Sequence, residues 1–416
     1  MARRARRAAP HAGAPVGLTR DGIPTVRPER SRFAFRPKSA MVLGLAHATS
    51  PGGALDRPMR KLSNIQVLRG LAALAVVTFH ARGEVDGVGM PTRLPSFLAG
   101  AFGVDVFFVV SGLVMVYASA PLFGAARAVL PFIGKRIARV VPLYWAVTAL
   151  FVLLAPAAAR GGLGHGAFNR YLALSLAFVP YAGPVNDDAT PVYSTGWTLS
   201  YEMAFYACFA ATLALPRRAA VAVLVCGFAA LVASAKAVAL PGWLAYLGAS
   251  NVLEFAAGLL IAELALSGLR LPRPAALALA AAGCAAALAA APVSDAWWGE
   301  WRGVVWGLPA AAIVAAAALC PAAEGGGPVR RWLERLGDAS YALYLVHEGL
   351  NVAAAAAVGR WGGPSRVPAG AYLLGLVGLA LAVGFTVHRR FEVPVTRWLQ
   401  RRIAPHRPPS LAVSGP

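Results

Sequence analysis

Residues 67–80, which read VLRGLAALAVVTFH, decide the fold. Apart from Arg69 and His80, the stretch is an apolar run of helix-forming residues. These two residues are eleven positions apart, close to three helical turns, so they share one helix face about 16 Å apart along the axis. The run belongs to a segment long enough to cross a bilayer. An arginine there costs roughly 2.5–3.5 kcal/mol, so intramembrane ionisable residues are candidates for function.

His80 has the chemistry of a general base. A free imidazole has a pKa of about 6.5, so it takes up and releases a proton near neutral pH. We therefore predict that His80 is the general base of a membrane enzyme. The other polar residues within the membrane are expected to group around it.

The composition is that of a polytopic membrane protein. The 416 residues are 58% hydrophobic and 14% charged, with a mean hydropathy of +0.60. Soluble domains contain about 25% charged residues, so we predict an all-α bundle of membrane-spanning helices. The net charge of +21 would also suit a polyanion-binding protein. Because the arginines cluster between apolar segments, we favour a role in membrane orientation over nucleic-acid binding.

The cysteines give no sign of a metal site. All four lie within apolar runs and lack the paired spacing of metal ligands; they are Cys208, Cys226, Cys284 and Cys320. We predict that they are small buried hydrophobic residues. Neither a metal ion nor a bound cofactor is predicted.

Three regions differ in composition. Residues 1–60 are rich in Arg, Pro and Gly and have no apolar core of a signal peptide. Two interpretations fit them: a disordered basic cytosolic tail, or an untranslated stretch before a start at Met59. Residues 61–400 form the predicted transmembrane domain, and residues 401–416 form a short C-terminal tail.

Ten spans are predicted from the apolar runs: 66–83, 97–118, 139–157, 197–215, 219–238, 250–266, 274–292, 303–321, 338–357 and 369–388. The basic loops then fall on one side, which places both termini in the cytosol. Six arginines violate this pattern, namely Arg82, Arg93, Arg160, Arg170, Arg360 and Arg366. The run 168–181 is too short to cross, so we expect a re-entrant or interfacial segment.

Asp105 and Ser111 lie in the second predicted span. A buried aspartate needs a partner or a proton. Asp105 either orients His80, as a carboxylate orients a catalytic base, or caps its helix as a structural acid. Ser111 is either a nucleophile or, with Gly112, a small residue that permits close helix packing.

Arg136 and Arg139 share a helix face because they are three residues apart. Two guanidinium groups at a membrane surface can bind phosphate. The alternatives are contact with lipid headgroups and a purely topological charge. Tyr144, in the same motif, is a candidate auxiliary residue.

Further polar residues lie within later spans. Glu202 is one of the few carboxylates within the spans and is expected to be buried against a partner, while Trp197 in its motif is a candidate auxiliary residue. Glu254 could pair with an arginine across the bundle. His347, in a stripe with Ser340 and Tyr344, is either a second proton-handling group or a structural histidine. Glu392 is expected to pair with nearby arginines.

Seven stretches together resemble the membrane-bound acyltransferase-3 family, whose members are O-acetyltransferases of polysaccharides, lipopolysaccharide, Nod factors and some secondary metabolites. They run in the family's order across about residues 62–400, and they are LRGLAALAVVTFHA (68–81), FGVDVFFVVSGLVM (102–115), KRIARVVPLYW (135–145), WTLSYEMAFY (197–206), NVLEFAAGLLIAE (251–263), SYALYLVHEGL (340–350) and FEVPVTRWL (391–399). The resemblance implies a ten-span acyltransferase domain with a cytosolic acyl-CoA donor, usually acetyl-CoA.

The resemblance also implies roles for single residues. Arg69 and His80 correspond to the family's Arg–His pair, in which the histidine is proposed as catalytic. Arg136 and Arg139 correspond to the arginines proposed to contact the CoA donor. Glu202 corresponds to the acid of the tryptophan-led motif.

We therefore predict a membrane O-acyltransferase that moves an acyl group, acetyl in the first place, from acyl-CoA to a hydroxyl of a cell-envelope glycan or lipid-linked sugar. Asp105 or Glu202 would orient His80. Richness in Ala, Arg, Gly and Pro suggests a GC-rich bacterial genome, hence the bacterial cytoplasmic membrane. The alternatives are a proton-coupled transporter, with the intramembrane His, Asp and Glu as a proton relay, and a non-catalytic component of envelope assembly.

Overall fold

The structure is a computed structural model that describes residues 63–90, 92–181, 190–291, 301–321, 325, 327–360 and 367–403. Within these residues all regular secondary structure is helical, as the composition predicts. The predicted tail 1–60 and most of the predicted tail 401–416 lie outside the described residues.

The described α-helices are, in chain order, α1 (Ser63–Gly87), α2 (Gly103–Ser119), α3 (Val129–Leu154), α4 (Pro156–Arg160), α5 (His165–Leu176), α6 (Trp197–Thr212), α7 (Arg217–Ala237), α8 (Gly242–Leu247), α9 (Val252–Leu266), α10 (Arg273–Ala290), α11 (Arg302–Val305), α12 (Gly307–Leu319), α13 (Pro328–Arg360), α14 (Ala369–Val387) and α15 (Val393–Ile403). Short 3₁₀ turns extend α2 at both ends and precede α3 and α6. A π-helical turn, His388–Glu392, joins α14 to α15.

Eight described helical segments are long and apolar enough to cross a membrane: Ser63–Gly87, Leu98–Leu122, Ala126–Leu154, Arg217–Ala237, Arg273–Ala290, Arg302–Leu319, Pro328–Arg360 and Ala369–Ile403. The other two predicted spans correspond to α6 and α9, which have 16 and 15 residues. At 1.5 Å per residue these helices are about 22–24 Å long, shorter than a bilayer core of about 30 Å. The ten-span count and the cytosolic termini stay predictions.

The run 168–181 forms α5 only in part. This helix has 12 residues and ends at Leu176, and Phe178 two residues later has a positive φ of 60°. A helix of this length extends about 18 Å, too short to cross a bilayer.

Two helices begin ten residues earlier than predicted. The third predicted span starts at residue 139, but α3 starts at Val129, so the helix that carries Arg136 and Arg139 is longer than the apolar run. Likewise α13 starts at Pro328 rather than at residue 338. Both starts were missed because a hydropathy criterion rejects a basic helical turn, although helix formation itself tolerates Arg and Lys well.

Glycines allow the central helices to approach closely. α1 packs most extensively against α13, and α2 packs against α9. A Cβ on Gly337 would lie 2.0 Å from the carbonyl oxygen of Gln66, and a Cβ on Gly258 would lie 2.0 Å from that of Val109. Backbone contact of this kind is typical of helix pairs in membranes.

The polarity of the bundle is the reverse of that of a soluble protein. Leu130, Leu153 and Leu374 are more than 70% exposed, whereas Arg69 and Glu202 are at most 2% exposed. Exposed leucines would be costly in water, at about 25 cal/mol per Å² of apolar surface. The outer surface therefore suits lipid, and the buried charges must satisfy one another inside.

The prediction of buried cysteines is wrong. Cys208, Cys226 and Cys284 are exposed and Cys320 is partly exposed. In a membrane protein an apolar run does not imply burial, because the lipid-facing surface of a helix is as apolar as its packed surface.

Candidate active site

His80 is fixed by a single hydrogen bond. It lies in α1, 8% exposed, and its Nδ1 is 2.9 Å from the carbonyl oxygen of Val76 one turn earlier. A carbonyl oxygen only accepts, so Nδ1 carries the hydrogen and Nε2 keeps its lone pair. Nε2 is buried and has no hydrogen-bond partner among the residues that the structure describes. The imidazole is thus held in the tautomer that a general base requires.

His347 faces His80 from α13. The two ring centroids are 4.9 Å apart, with the planes tilted by 59°. His347 is fully buried. Among the described residues neither ring nitrogen makes a hydrogen bond of good geometry, although the backbone of Leu343 and Tyr344 lies close enough to interact with the imidazole. Its neighbour Glu348 is partly buried and places a carboxylate oxygen near both imidazoles, so one ligand atom of each of the three residues lies within 4.8 Å of the others.

Arg69 lies on the same helix as His80, about 16 Å nearer the N-terminus of α1. Its guanidinium group donates to Oε1 of Gln66 at 2.7 Å and to Oγ of Ser340 at 2.9 Å. Ser340 belongs to the stripe with Tyr344 and His347, so this stripe of α13 faces α1. Arg69 is therefore a fixed, buried cation.

Glu202 lies among arginines rather than beside His80. It is fully buried in α6, and one carboxylate oxygen accepts a hydrogen bond from the Tyr206 hydroxyl. The carboxylate is within electrostatic range of Arg136, Arg139 and Arg69. Its other oxygen, Oε2, has no hydrogen-bond partner.

Arg139 forms a buried ion pair with Glu392 of the π-helical turn, as predicted for Glu392. The second oxygen of Glu392 is 2.9 Å from Nδ1 of His388. The Arg139 guanidinium group also lies 5.5 Å from the centre of the Tyr341 ring. Two of its nitrogens, Nε and Nη2, have no hydrogen-bond partner.

Arg136 lines a cavity that Arg139 does not. Its guanidinium group packs over the rings of Phe132 and Tyr206, at 5.2 and 5.8 Å from the centroids. The cavity, about 380 Å³, lies between the end of α2 and the start of α3, and its lining includes Arg127, Lys135 and Arg136. These three cations make it suitable for an anionic ligand.

Asp105 belongs to a separate cluster. Both of its carboxylate oxygens accept from Arg302, with distances of 3.0 Å from Nε and 2.7 Å from Nη2. Glu254 is fully buried and interacts electrostatically with both residues. The predicted pairing of Glu254 with an arginine across the bundle is thus present.

The predicted contact of Asp105 or Glu202 with His80 is wrong. Nδ1 of His80 donates its hydrogen bond to the Val76 carbonyl, and Nε2 has no hydrogen-bond partner among the described residues. Both carboxylates instead pair with nearer donors, because a buried carboxylate gains most from a guanidinium or hydroxyl group within hydrogen-bond distance.

Comparison with known proteins identifies the family to which the chain belongs. Residues 62–389 match the acyltransferase-3 family, described as an acyltransferase domain. The chain belongs to this family. The protein is therefore a membrane acyltransferase, and the resemblance seen in its sequence motifs is confirmed.

Two relatives support the assignment. The acyltransferase is 36% identical over 293 residues to the exopolysaccharide production protein ExoZ of Rhizobium meliloti (strain 1021), which covers 68% of this chain and 87% of ExoZ. It is 27% identical over 384 residues to the acyltransferase MdmB of Streptomyces mycarofaciens, which covers 82% of this chain and 93% of MdmB. No solved structure matches the chain.

The candidate auxiliary residues of the acyltransferase differ in their surroundings. Ser111 is buried with no hydrogen-bond partner for Oγ, next to Gly112, which lies against the backbone of α9. Tyr144 donates to the carbonyl oxygen of Ser175 at 3.2 Å. Trp197 packs edge-on against Phe108. Both Tyr144 and Trp197 are buried inside the bundle.

Sequence reasoning missed three partners in the acyltransferase. Arg302 was overlooked although it directly precedes the predicted span 303–321 on the side opposite to the basic loops, a position that could have marked it. Glu348 was overlooked although it directly follows His347. The Val76 carbonyl carries no signal except its position four residues before His80, the spacing of one helical turn.

Proposed function

We propose that this acyltransferase works in the bacterial cytoplasmic membrane and moves an acyl group from acyl-CoA to a hydroxyl of a cell-envelope carbohydrate. Acetyl is the expected acyl group. The observation that carries the proposal is the unpartnered, buried Nε2 of His80, with Nδ1 fixed by the Val76 carbonyl. This nitrogen is available to take a proton from an acceptor hydroxyl.

The transfer needs one base, and overall it neither consumes nor releases a proton. Nε2 of His80 removes the hydroxyl proton as the oxygen attacks the thioester carbonyl carbon, giving a tetrahedral intermediate. The intermediate collapses with cleavage of the C–S bond, and the imidazolium ion returns the proton to the CoA thiolate. The products are the O-acyl ester and CoA, and His80 is neutral again. General acid–base catalysis of this kind contributes roughly 10²–10⁴-fold in rate.

The basic cavity at the start of α3 is the proposed site for the phosphates of CoA. It presents Arg127, Lys135 and Arg136, and guanidinium groups bind phosphate with charge-assisted hydrogen bonds. Arg139 and Arg69 are more buried than Arg136 and lie within electrostatic range of Glu202. They would keep the path from the cavity towards His80 positively charged for the anionic donor.

A carbohydrate acceptor is supported by the relative ExoZ, whose name states a role in exopolysaccharide production. The acceptor would approach His80 from the end of α1 that carries Glu84, opposite to the basic cavity. Donor and acceptor would thus enter from different ends of the bundle, which suits a cytosolic donor and an acceptor on the far side. Together with the family assignment, these features favour an enzyme over a carrier or an assembly component.

The test is acyl transfer in membranes that contain the wild type or His80→Ala. Radiolabelled acetyl-CoA is supplied, and label is measured in the polysaccharide and lipid fractions. We expect label in the polysaccharide fraction with the wild type and a loss of at least about 10²-fold with His80→Ala. His165→Ala, a variant of the exposed histidine of α5, is the matched control and should retain transfer. Near-normal labelling with His80→Ala, at equal protein level, would overturn the proposed role of His80.

A further inference from the structure

Three potential metal ligands converge between α1 and α13. His80, His347 and Glu348 each present one ligand atom, and these atoms lie within 4.8 Å of one another. The two imidazoles come from α1 and α13, which pack against each other more extensively than any other pair of described helices. Among the described residues, no other group of three or more His, Cys, Asp or Glu side chains meets this geometry.

The surroundings of the imidazoles match those of metal ligands. Metal-binding histidines almost always donate their second ring N–H to a carbonyl or carboxylate, which fixes the tautomer and aims the other nitrogen at the metal. The bond from His80 Nδ1 to the Val76 carbonyl is such a contact. His347 is fully buried, and within the part of the chain that the structure describes neither of its ring nitrogens makes a well-formed hydrogen bond. A buried polar atom without a partner costs free energy, and a metal ion would relieve that cost.

Charge at the site also favours a cation. Glu348 is partly buried beside the two imidazoles, and Glu84 of α1 lies within electrostatic range of it. A carboxylate beside two neutral imidazoles, with a second acidic side chain nearby, attracts a divalent ion. Two histidines and one carboxylate form a ligand set of catalytic zinc sites, with a fourth position open.

We propose that His80, His347 and Glu348 bind a divalent transition-metal ion of the Zn²⁺ class. Ligands of one tetrahedral zinc ion bind at about 2.0–2.2 Å and lie about 3.5 Å from one another. The separations of up to 4.8 Å therefore contract on binding. Glu348 is the least buried of the three residues and has the longest side chain, so it accounts for most of the movement.

Occupancy by metal has a consequence for catalysis, and this part alone rests on the proposed function. The lone pair on Nε2 of His80 either ligates the metal ion or accepts the hydroxyl proton. Bound Zn²⁺ therefore inhibits acyl transfer. The site would make the enzyme sensitive to free zinc.

The test is direct binding of Zn²⁺ to the full-length protein purified in detergent. Equilibrium dialysis with Zn²⁺ alone, followed by elemental analysis, should give one tightly bound zinc ion per molecule of the wild-type protein. We expect at least about tenfold weaker binding for His347→Ala and for Glu348→Gln, since loss of even a supporting residue costs 10–100-fold in metal affinity. His165→Ala should bind like the wild type.

Glu348→Gln also serves as the folding control, because it keeps the shape of a partly buried side chain. Size-exclusion profiles and thermal unfolding of the metal-free variants should match the wild type. The metal site would be overturned if the wild type bound no zinc ion tightly. It would also be overturned if Glu348→Gln and His347→Ala bound zinc as tightly as the wild type. Tight zinc binding without inhibition of transfer would leave the metal site standing and contradict the role of His80 as base.

Discussion

Asp105 and Arg302 form a bidentate ion pair inside the helix bundle, with nitrogen–oxygen distances of 3.0 and 2.7 Å. Both side chains are at most 2% exposed, and the second carboxylate, that of Glu254, interacts with the same guanidinium group. Arg302 thus neutralises two buried acids. Removing Arg302 and removing Asp105 should therefore destabilise the protein to different extents.

Arg302→Met should destabilise the protein more than Asp105→Asn. Loss of the arginine leaves two buried carboxylates without a cation, whereas loss of the aspartate leaves Arg302 with Glu254 as its partner. Removing one member of a buried pair costs about 3–5 kcal/mol, so Arg302→Met should show the full effect and Asp105→Asn a smaller one. Thermal unfolding of the detergent-purified variants measures the difference. Equal destabilisation by the two variants would contradict the sharing of Arg302.

Arg136→Ala should raise KM for acetyl-CoA and change kcat less. Arg136 lines the basic cavity, and a hydrogen bond to a charged group contributes about 1.5–3 kcal/mol, so the rise should be at least about tenfold. The measurement is initial-rate kinetics at varied acetyl-CoA concentration. Arg273→Ala, at the exposed start of α10, is the control for a loss of positive charge elsewhere. A fall in kcat at unchanged KM would place the phosphates of the donor elsewhere.

Arg139 and Glu392 should be coupled in stability. Each single variant, Arg139→Met or Glu392→Gln, leaves a buried charge or polar group without its partner. The double variant removes both, so its loss of unfolding free energy should fall short of the sum of the single losses by about 1–3 kcal/mol. The coupling free energy is measured by unfolding the wild type, the two single variants and the double variant in detergent, as a double-mutant cycle. Additive losses would show that the two residues do not depend on each other.

Gly258→Ala should weaken the packing of α2 against α9. The added Cβ would lie 2.0 Å from the carbonyl oxygen of Val109, so the helices must separate, at a cost of about 1–3 kcal/mol or more. Gly378→Ala in α14 is the matched control, because a Cβ there meets no atom within 4 Å. The melting temperature should fall for Gly258→Ala and stay level or rise for Gly378→Ala. A similar shift in both would rule out a specific role for the glycine contact.

Local patterns in the sequence predicted the faces of helices well. The spacing of Ser340, Tyr344 and His347 placed them on one face, and Ser340 and His347 do contact Arg69 and His80 across the α1–α13 interface. The helical period alone fixes such faces, because residues three and four apart project in nearly the same direction.

Pairing between distant helices could not be predicted in the same way. Asp105 pairs with Arg302 and Glu202 with Tyr206, whereas one of these two acids was expected to orient His80. Which buried acid meets which donor depends on the relative height and rotation of packed helices. A single sequence does not specify these quantities, because apolar helix surfaces in a membrane fit many neighbours.

The pairing of α1 with α13 also has a consequence for biogenesis. His80 and its opposing histidine are contributed by the first described helix and by one of the last, so the ribosome must make well over half of the chain between them. At roughly 5–20 residues per second, α1 waits on the order of tens of seconds in the membrane before α13 emerges. During that interval its arginine and histidine lack their final neighbours. A chain interrupted before α13 should therefore be a substrate for membrane quality control. The contact between the two histidines can form only in a chain whose synthesis has gone beyond α13.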